Sequence, residues 1–317
     1  MATSFDQAGL AQVADRVLAA ARPYFARLQR LGIDLSPRPE PAGATIKVPV
    51  LDVGAAASYD RSSNNYADAQ GSCSLVSVAL TSHPKVTVGI TPEAAADMGA
   101  EAAQLVGDAA VEQSAAKIGN AALAAWHALL PAASATTGPA ITLASHTSGS
   151  AIDKTDIEAI LAATLSGTAS GGGRPAWGGC NPGDAALVLS APSYAKVATI
   201  FDAAAYSGSG ANPVREGWFD GGLVGFREVL CDPQIASSVI GYVVPYGSIA
   251  FSGRAVEVRN PSAYASFAYR RDDRSGLTLT FRELLAGAVD DRLLTVEGQF
   301  GGVLAVPGQV LTVKPHA

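Results

Sequence analysis

Cysteine is scarce in this chain of 317 residues: Cys73, Cys180 and Cys231 are odd in number, far apart and never in a CxxC spacing. That pattern argues against a disulfide framework and a zinc knuckle, and leaves buried, reduced thiols as the default. Basic residues form no block, and 22 Lys plus Arg against 28 Asp plus Glu give a net charge of −6, which argues against a dedicated nucleic-acid surface. The four histidines (His83, His127, His146, His316) have no companion at metal-ligand spacing and no HExxH frame, so structural or surface roles are expected. No GxSxG elbow occurs, no GxGxxG follows a strand, and no glycine run ends as a phosphate-binding loop does. The paired carboxylates Asp272-Asp273 and Asp290-Asp291 lie between strand-like runs beside Arg271, Arg274 and Arg292; they read as turns with local charge pairing rather than acid–base machinery. No catalytic, cofactor-binding or metal-ligating residue is assigned; absence of a motif does not exclude an enzyme, but it leaves that reading without a residue to stand on. The start, with Asp6 and Arg16, lacks the basic head and apolar run of a signal peptide, so synthesis in the cytosol is expected.

What the sequence does have is one very long stretch without a turn signal, Thr91 to Leu130. Thr91 can cap a helix, Pro92 suits its first position, Glu93 favours the positive end of its dipole, and Pro131 stops it. Such a helix would be about 58 Å long, a spine rather than a small-domain element. Glu93, Asp97, Glu101, Asp108 and Glu112 fall within an arc of about 100° on its wheel. Ile118, Trp126 and Leu129 lie on or close to that side further along, so the second half needs covering while the first can stay wet. The plain reading of the stripe is a solvated face, with pairing to Arg16, Arg22, Arg27 or Arg30 as another. Five carboxylates and Lys117 argue against a membrane span.

Around this spine the chain is rich in apolar residues, 48%, enough for a sizeable core and for about two domains. Leu10, Val13, Val17, Ala21, Tyr24, Phe25, Leu28 and Leu31 recur at helical spacing, interrupted at Pro23, and the Pro-rich Ser36 to Pro41 follows. The first 35 residues are therefore expected to form an arm outside the compact core. Thr45–Val53 and Ser74–Ile90 read as the two sides of a projecting hairpin with a polar tip; Pro49 and Pro84 suit edge strands. A strand-like piece at Ile141–Leu143 and a helix capped at Asp153 or Thr155 and running to Leu165 come next. A Gly-rich loop, Ser166 to Asp184, then leads to a buried strand at Ala185–Ser190 and a helix over Pro192–Tyr206. Short strands are expected at Leu223–Leu230, Val239–Pro245 and Ser248–Phe251, and a purely β pattern thereafter at Ser266–Arg270, Leu277–Arg282, Leu293–Glu297 and Val310–Val313.

In that order (arm, hairpin, long helix, inserted αβ segment, return to β) the chain resembles a major capsid protein of tailed bacteriophages, with the Hong Kong 97-like fold. Three passages carry the likeness: the hairpin running into TPEAAADMGAEAAQLVGDAAVEQS, the run DAALVLSAPSYAKVATIFD, and the ending from GYVVPYGSIAFSGRAVEV to RLLTVEGQFGGVLAVPGQVLTV. The resemblance implies an α+β fold divided as an N-terminal arm (1–44), an extended loop (45–90), a peripheral domain with the spine helix (91–164), an axial α/β domain (165–255) and the β return of the peripheral domain (256–317). It implies a structural subunit without cofactors, assembling with copies of itself into hexamers and pentamers of an icosahedral head around double-stranded DNA. A portal and a separate scaffolding or decoration protein would be its other partners, DNA would be met only by non-specific proximity, no membrane would be involved, and the virion would be its location. An encapsulin-like cargo compartment is the alternative on the same fold; a soluble α/β enzyme or binding protein is a third reading.

Overall fold

The computed structural model describes residues 12–21, 31–36, 46–52, 59–60, 65–66, 72–90, 92–131, 139–147, 152–166, 179–200, 219–220, 225–258, 260–272, 276–285, 292–304 and 310–316. Residues 12–21 form helix α1. Strands β1 (Gly32–Asp34), β2 (Ile46–Asp52), β3 (Tyr59–Asp60), β4 (Asn65–Tyr66), β5 (Ser72–Val78) and β6 (Lys85–Ile90) precede helix α2 (Pro92–His127). Then come β7 (Ala140–Thr147), α3 (Lys154–Ser166), β8 (Ala185–Leu189), α4 (Ala191–Ile200), β9 (Phe219–Asp220), β10 (Glu228–Cys231), β11 (Gly241–Pro245) and β12 (Ile249–Arg254). The chain closes with β13 (Ser266–Arg271), β14 (Thr278–Leu285), β15 (Arg292–Glu297), β16 (Gln299–Leu304) and β17 (Leu311–His316).

The long helix forms as its sequence dictates. Its 36 residues give a length of about 54 Å. Pro92 opens it, and it closes in a tighter turn where the Leu129 and Leu130 N–H groups donate to the Trp126 and His127 carbonyls at 3.0 Å, just before Pro131. Helix α3 starts on a reciprocal cap. The Asp156 N–H donates to Asp153 Oδ1 at 2.8 Å, and the Asp153 N–H donates to Asp156 Oδ2 at 3.0 Å.

Six strands, in the order β7-β17-β11-β8-β10-β9, make the largest sheet. Ala185, Leu187 and Leu189 of β8 join Ile157 and Ile160 of α3, Phe226 and Val197 of α4 in one apolar cluster. Ala186 and Val188, the alternate residues, join Ile118 and Trp126 of α2 and Val17 of α1 in another. Successive strand residues face opposite sides, so this sheet is covered on both faces, which is why AALVL is an unbroken apolar run. A four-stranded antiparallel sheet (β13-β14-β15-β6) and a three-stranded one (β1-β12-β16) complete the body. The second half of α2 is covered as expected: Ile118 and Trp126 are fully buried, alongside Phe251, Phe281 and Phe300.

Several expectations are corrected. Residues 12–21 and 31–36 do not stand outside the core. Ala14, Val17, Leu18, Ala21 and Leu31 are buried in the main cluster, and β1 pairs in parallel with β12. Apolar periodicity marks a face that needs a partner, and α2 of the same chain supplies one. The run Ser74–Ile90 is two strands rather than one side of a hairpin. β5 pairs with β2, whereas β6 pairs with β15; the break falls before Pro84, which has no N–H to offer a ladder. Leu223–Leu230 yields strand only from Glu228. β16 has no counterpart among the expected strands. The largest sheet also draws β7 and β17 from outside the 165–255 span. The helix expected over Pro192–Tyr206 is described to Ile200, and the rest of it lies outside the described residues.

Candidate functional site

Two junctions carry the features that distinguish this molecule: the root of the hairpin and the end of the long helix. β2 and β5 form a two-stranded antiparallel ribbon in which Ile46 faces Val78 and Asp52 faces Ser72. Each strand has one unpaired edge, so Pro49, opposite Leu75, removes no ladder bond that a wider sheet would need. The root is anchored: Ile46 and Val78 are fully buried with Leu35 and Ala250, and Val303 packs against them. Further out, Leu75 is 62% exposed. A two-stranded ribbon is marginal by itself, and with Leu75 exposed it gains from another surface to lie on. After β5 the chain is bonded along β16. The Ser82 N–H donates to the Phe300 carbonyl at 2.9 Å, the Phe300 N–H returns a bond of 2.8 Å to Ser82, and the Gly298 N–H reaches the Pro84 carbonyl at 3.2 Å.

At the end of α2, His127 Nδ1 lies 2.7 Å from Oδ2 of Asp232, whose side chain is fully buried. Oδ1 of the same carboxylate accepts the Gln234 N–H at 2.9 Å. Tyr242 of β11 donates its hydroxyl to the Pro131 carbonyl at 2.9 Å. Burial, and then the Asp232 charge, push the Tyr242 phenol up to about 12, and the same two causes in that order raise the Cys231 thiol. A carboxylate orienting an imidazole is also how hydrolases prepare a base. Here, among the described residues, no nucleophile is hydrogen-bonded to His127, and Cys231 is held as the thiol rather than the thiolate. The arrangement is a polar bolt between helix and sheet.

The remaining singled-out residues are dispersed. His83 Nε2 lies 2.9 Å from the Leu80 carbonyl, and His316 is exposed at the end of β17. The His146 side chain lies outside the described residues, as do Asp273, Asp290 and Asp291. Asp272 does make a turn: its N–H donates to the Leu277 carbonyl at 2.9 Å and its carbonyl accepts the Gly276 N–H at 2.7 Å, with Gly276 at φ 64°. Arg271 pairs with Asp34 of β1, at 2.9 Å. Of the acidic stripe, Glu112 is exposed; Glu93, Asp97, Glu101 and Asp108 are on α2, with side chains outside the described residues. Most of the Gly-rich loop also lies outside them; its last part is a short 3-10 helix, Pro182–Asp184, where the Gly183 N–H donates to Asn181 Oδ1 at 3.1 Å. Cys180 beside it is held as a thiol, chiefly by burial and then by Asp184. Among the described residues no three His, Cys, Asp or Glu side chains gather where a metal could be held, and no helix is long and apolar enough to cross a membrane. Reading residue types alone missed the bolt, because Asp232 is 105 residues from His127; no local pattern links them.

This mixture of a helix-flanked sheet, a long helix and a two-stranded ribbon matches the fold of Hong Kong 97-like capsid structures. No protein-family model and no curated protein matches the chain. Among solved structures it is similar to the chain in "Cyanophage A-1(L) capsid asymmetric unit", with a TM-score of 0.55 and 10% identity over 92% of each chain. It is similar to the capsid chain of a native GTA particle, with a TM-score of 0.53 and 12% identity over 92% of this chain and 90% of that one. The virus-like particle from Pyrococcus furiosus has a TM-score of 0.50 and 12% identity, over 96% and 98%. At such identities the likeness is one of fold.

Proposed function

We propose that this chain is a major capsid protein, a structural subunit that closes with copies of itself, as hexamers and pentamers, into the icosahedral head of a tailed phage enclosing double-stranded DNA. The observation that carries this reading is the extent of the likeness to the cyanophage capsid chain, 92% of both chains, so the whole chain and not one module has the shape of a shell subunit. The two-stranded ribbon supports it, because exposed Leu75 and the outer strand edges offer a neighbour a surface. In this reading 1–44 is the N-terminal segment, 45–90 the extended loop, 91–164 and 256–317 the peripheral domain and 165–255 the axial domain. A portal, and a scaffolding or decoration protein, would be further partners, and the acidic stripe of α2 would face packaged DNA and keep it from adhering. Light scattering and electron cryomicroscopy of the purified protein test the reading, and closed icosahedral shells are the expected result. A protein that stays monomeric, alone and with its scaffolding partner, overturns it. Shells filled with an enzyme instead of DNA would move the assignment to a cargo compartment.

A further inference from the structure

Three features converge on β16. The strand lies between the two outgoing parts of the molecule, with the hairpin's return on one side and the end of α2 on the other. At Gly301 a Cβ would overlap the Ala79 carbonyl oxygen and stand 2.8 Å from the Leu80 Cα. At Gly302 it would stand 2.5 Å from a methyl of Leu129 and 2.8 Å from the Ala250 carbonyl oxygen. Neighbouring strand residues face opposite sides, so glycine is required once against the hairpin and once against the helix end and β12. The pair of Ser82–Phe300 hydrogen bonds and the Ile46–Val78–Leu35–Ala250 cluster fix the same root from two further directions. The root therefore has a defined aim, set by contacts with backbone that cannot give way as a side chain would.

We infer that Gly301 sets the direction in which the hairpin leaves the body, and through it the angle between neighbouring copies and the curvature of the shell. This rests on the capsid reading. The seven residues of each ribbon strand give a lever of about 23 Å, so a small displacement of Ala79 and Leu80 is enlarged at the far end. A closed shell needs one narrow range of angles between copies, and the ribbon, with Leu75 exposed, offers a neighbour a surface. Gly302 faces away from Ala79 and Leu80, towards Leu129 and β12; a side chain there strains the α2–β12 packing and reaches the root only indirectly, through Ala250.

The test compares the wild type, Gly301→Ala, Gly302→Ala and Ser82→Pro for thermal melting of the subunit and for particle diameter by electron cryomicroscopy. Ser82→Pro removes the N–H that bonds Phe300, at a partly exposed position, and so loosens the root without adding bulk at β16. Gly301→Ala is expected to lose closed particles or shift their diameter, and Ser82→Pro to broaden the diameter distribution with the melting of the subunit little changed. Gly302→Ala is expected to melt earlier and, where folded, to change particle diameter less than Gly301→Ala does. Folded Gly301→Ala with wild-type particles overturns the inference. Should Gly301→Ala not fold, a single wild-type diameter for Ser82→Pro overturns it instead. Absence of shells from the wild type itself refutes the capsid reading rather than the role of Gly301.

Discussion

His127 and Asp232 are worth measuring as a pair, because each is left in difficulty by the loss of the other. His127→Ala leaves a fully buried carboxylate oxygen without its donor, at a cost of about 1 to 3 kcal/mol. The double variant with Asp232→Ala is expected to lose less than the sum of the two single losses, in urea unfolding followed by circular dichroism; strictly additive losses would show that the pair is not coupled. Tyr242 gives a separate signature in alkali. Its folded-state pKa is raised to about 12, against about 10 in an unfolded chain. Between those values the unfolded chain has released the phenolic proton that the folded chain still holds. The folded state binds more protons, so stability is full below about pH 10 and falls as pH rises through about 12. Tyr242→Phe, which also gives up the bond to Pro131 at about 0.5 to 1.5 kcal/mol, is expected to show a shallower loss of urea midpoint across that window. A variant as alkali-sensitive as the wild type would refute the assignment.

At the scale of elements, the ribbon and the N-terminal helix should behave oppositely in the free subunit. α1 contributes Ala14, Val17, Leu18 and Ala21 to the main core, so its amides are expected to be protected in subunit and shell alike. β2 and β5 pair with each other in a two-stranded sheet, and among the described residues Ile46 and Val78 at the root are buried while Leu75 is exposed. Ordering costs about 1 to 2 kcal/mol per backbone residue, so the outer part of the ribbon is expected to exchange quickly until a neighbour covers it. Hydrogen exchange followed by mass spectrometry on unassembled protein and on shells checks both statements. A ribbon equally protected in the two states would mean that it needs no neighbour.

At the scale of the whole molecule, the acidic stripe is judged by what it does inside a particle. Replacing Asp97, Glu101 and Asp108 with Asn, Gln and Asn removes charge at nearly constant volume, so shells of normal size are expected. Such shells should bind DNA more tightly at low salt, where phosphate repulsion is least screened, and the difference should shrink towards physiological salt as the screening length falls to about 8 Å. Failure to assemble, with unchanged DNA affinity, would point instead to ion pairs within the subunit.

The sequence by itself determined the local elements whose causes are local. Pro92, Pro131 and an uninterrupted run between them specify α2; Asp153 starts α3; AALVL announces a strand covered on both faces; Asp272 and Gly276 turn the chain between β13 and β14. Partnership was decided only by the tertiary structure. The apolar face of α1 is visible in its spacing, yet nothing in that spacing says whether α2 of the same chain or a neighbour will cover it. The run from Ser74 to Ile90 carries a local break at Thr81 to Pro84, but only the tertiary structure sends its two halves to different partners, β2 and β15. β16 was not among the expected strands, and two adjacent glycines, Gly301 and Gly302, weaken a strand pattern. Their reason for being glycine is the backbone of Ala79 and Ala250 pressed against them, and such contacts between distant parts of a chain leave no local trace in the residues that make them.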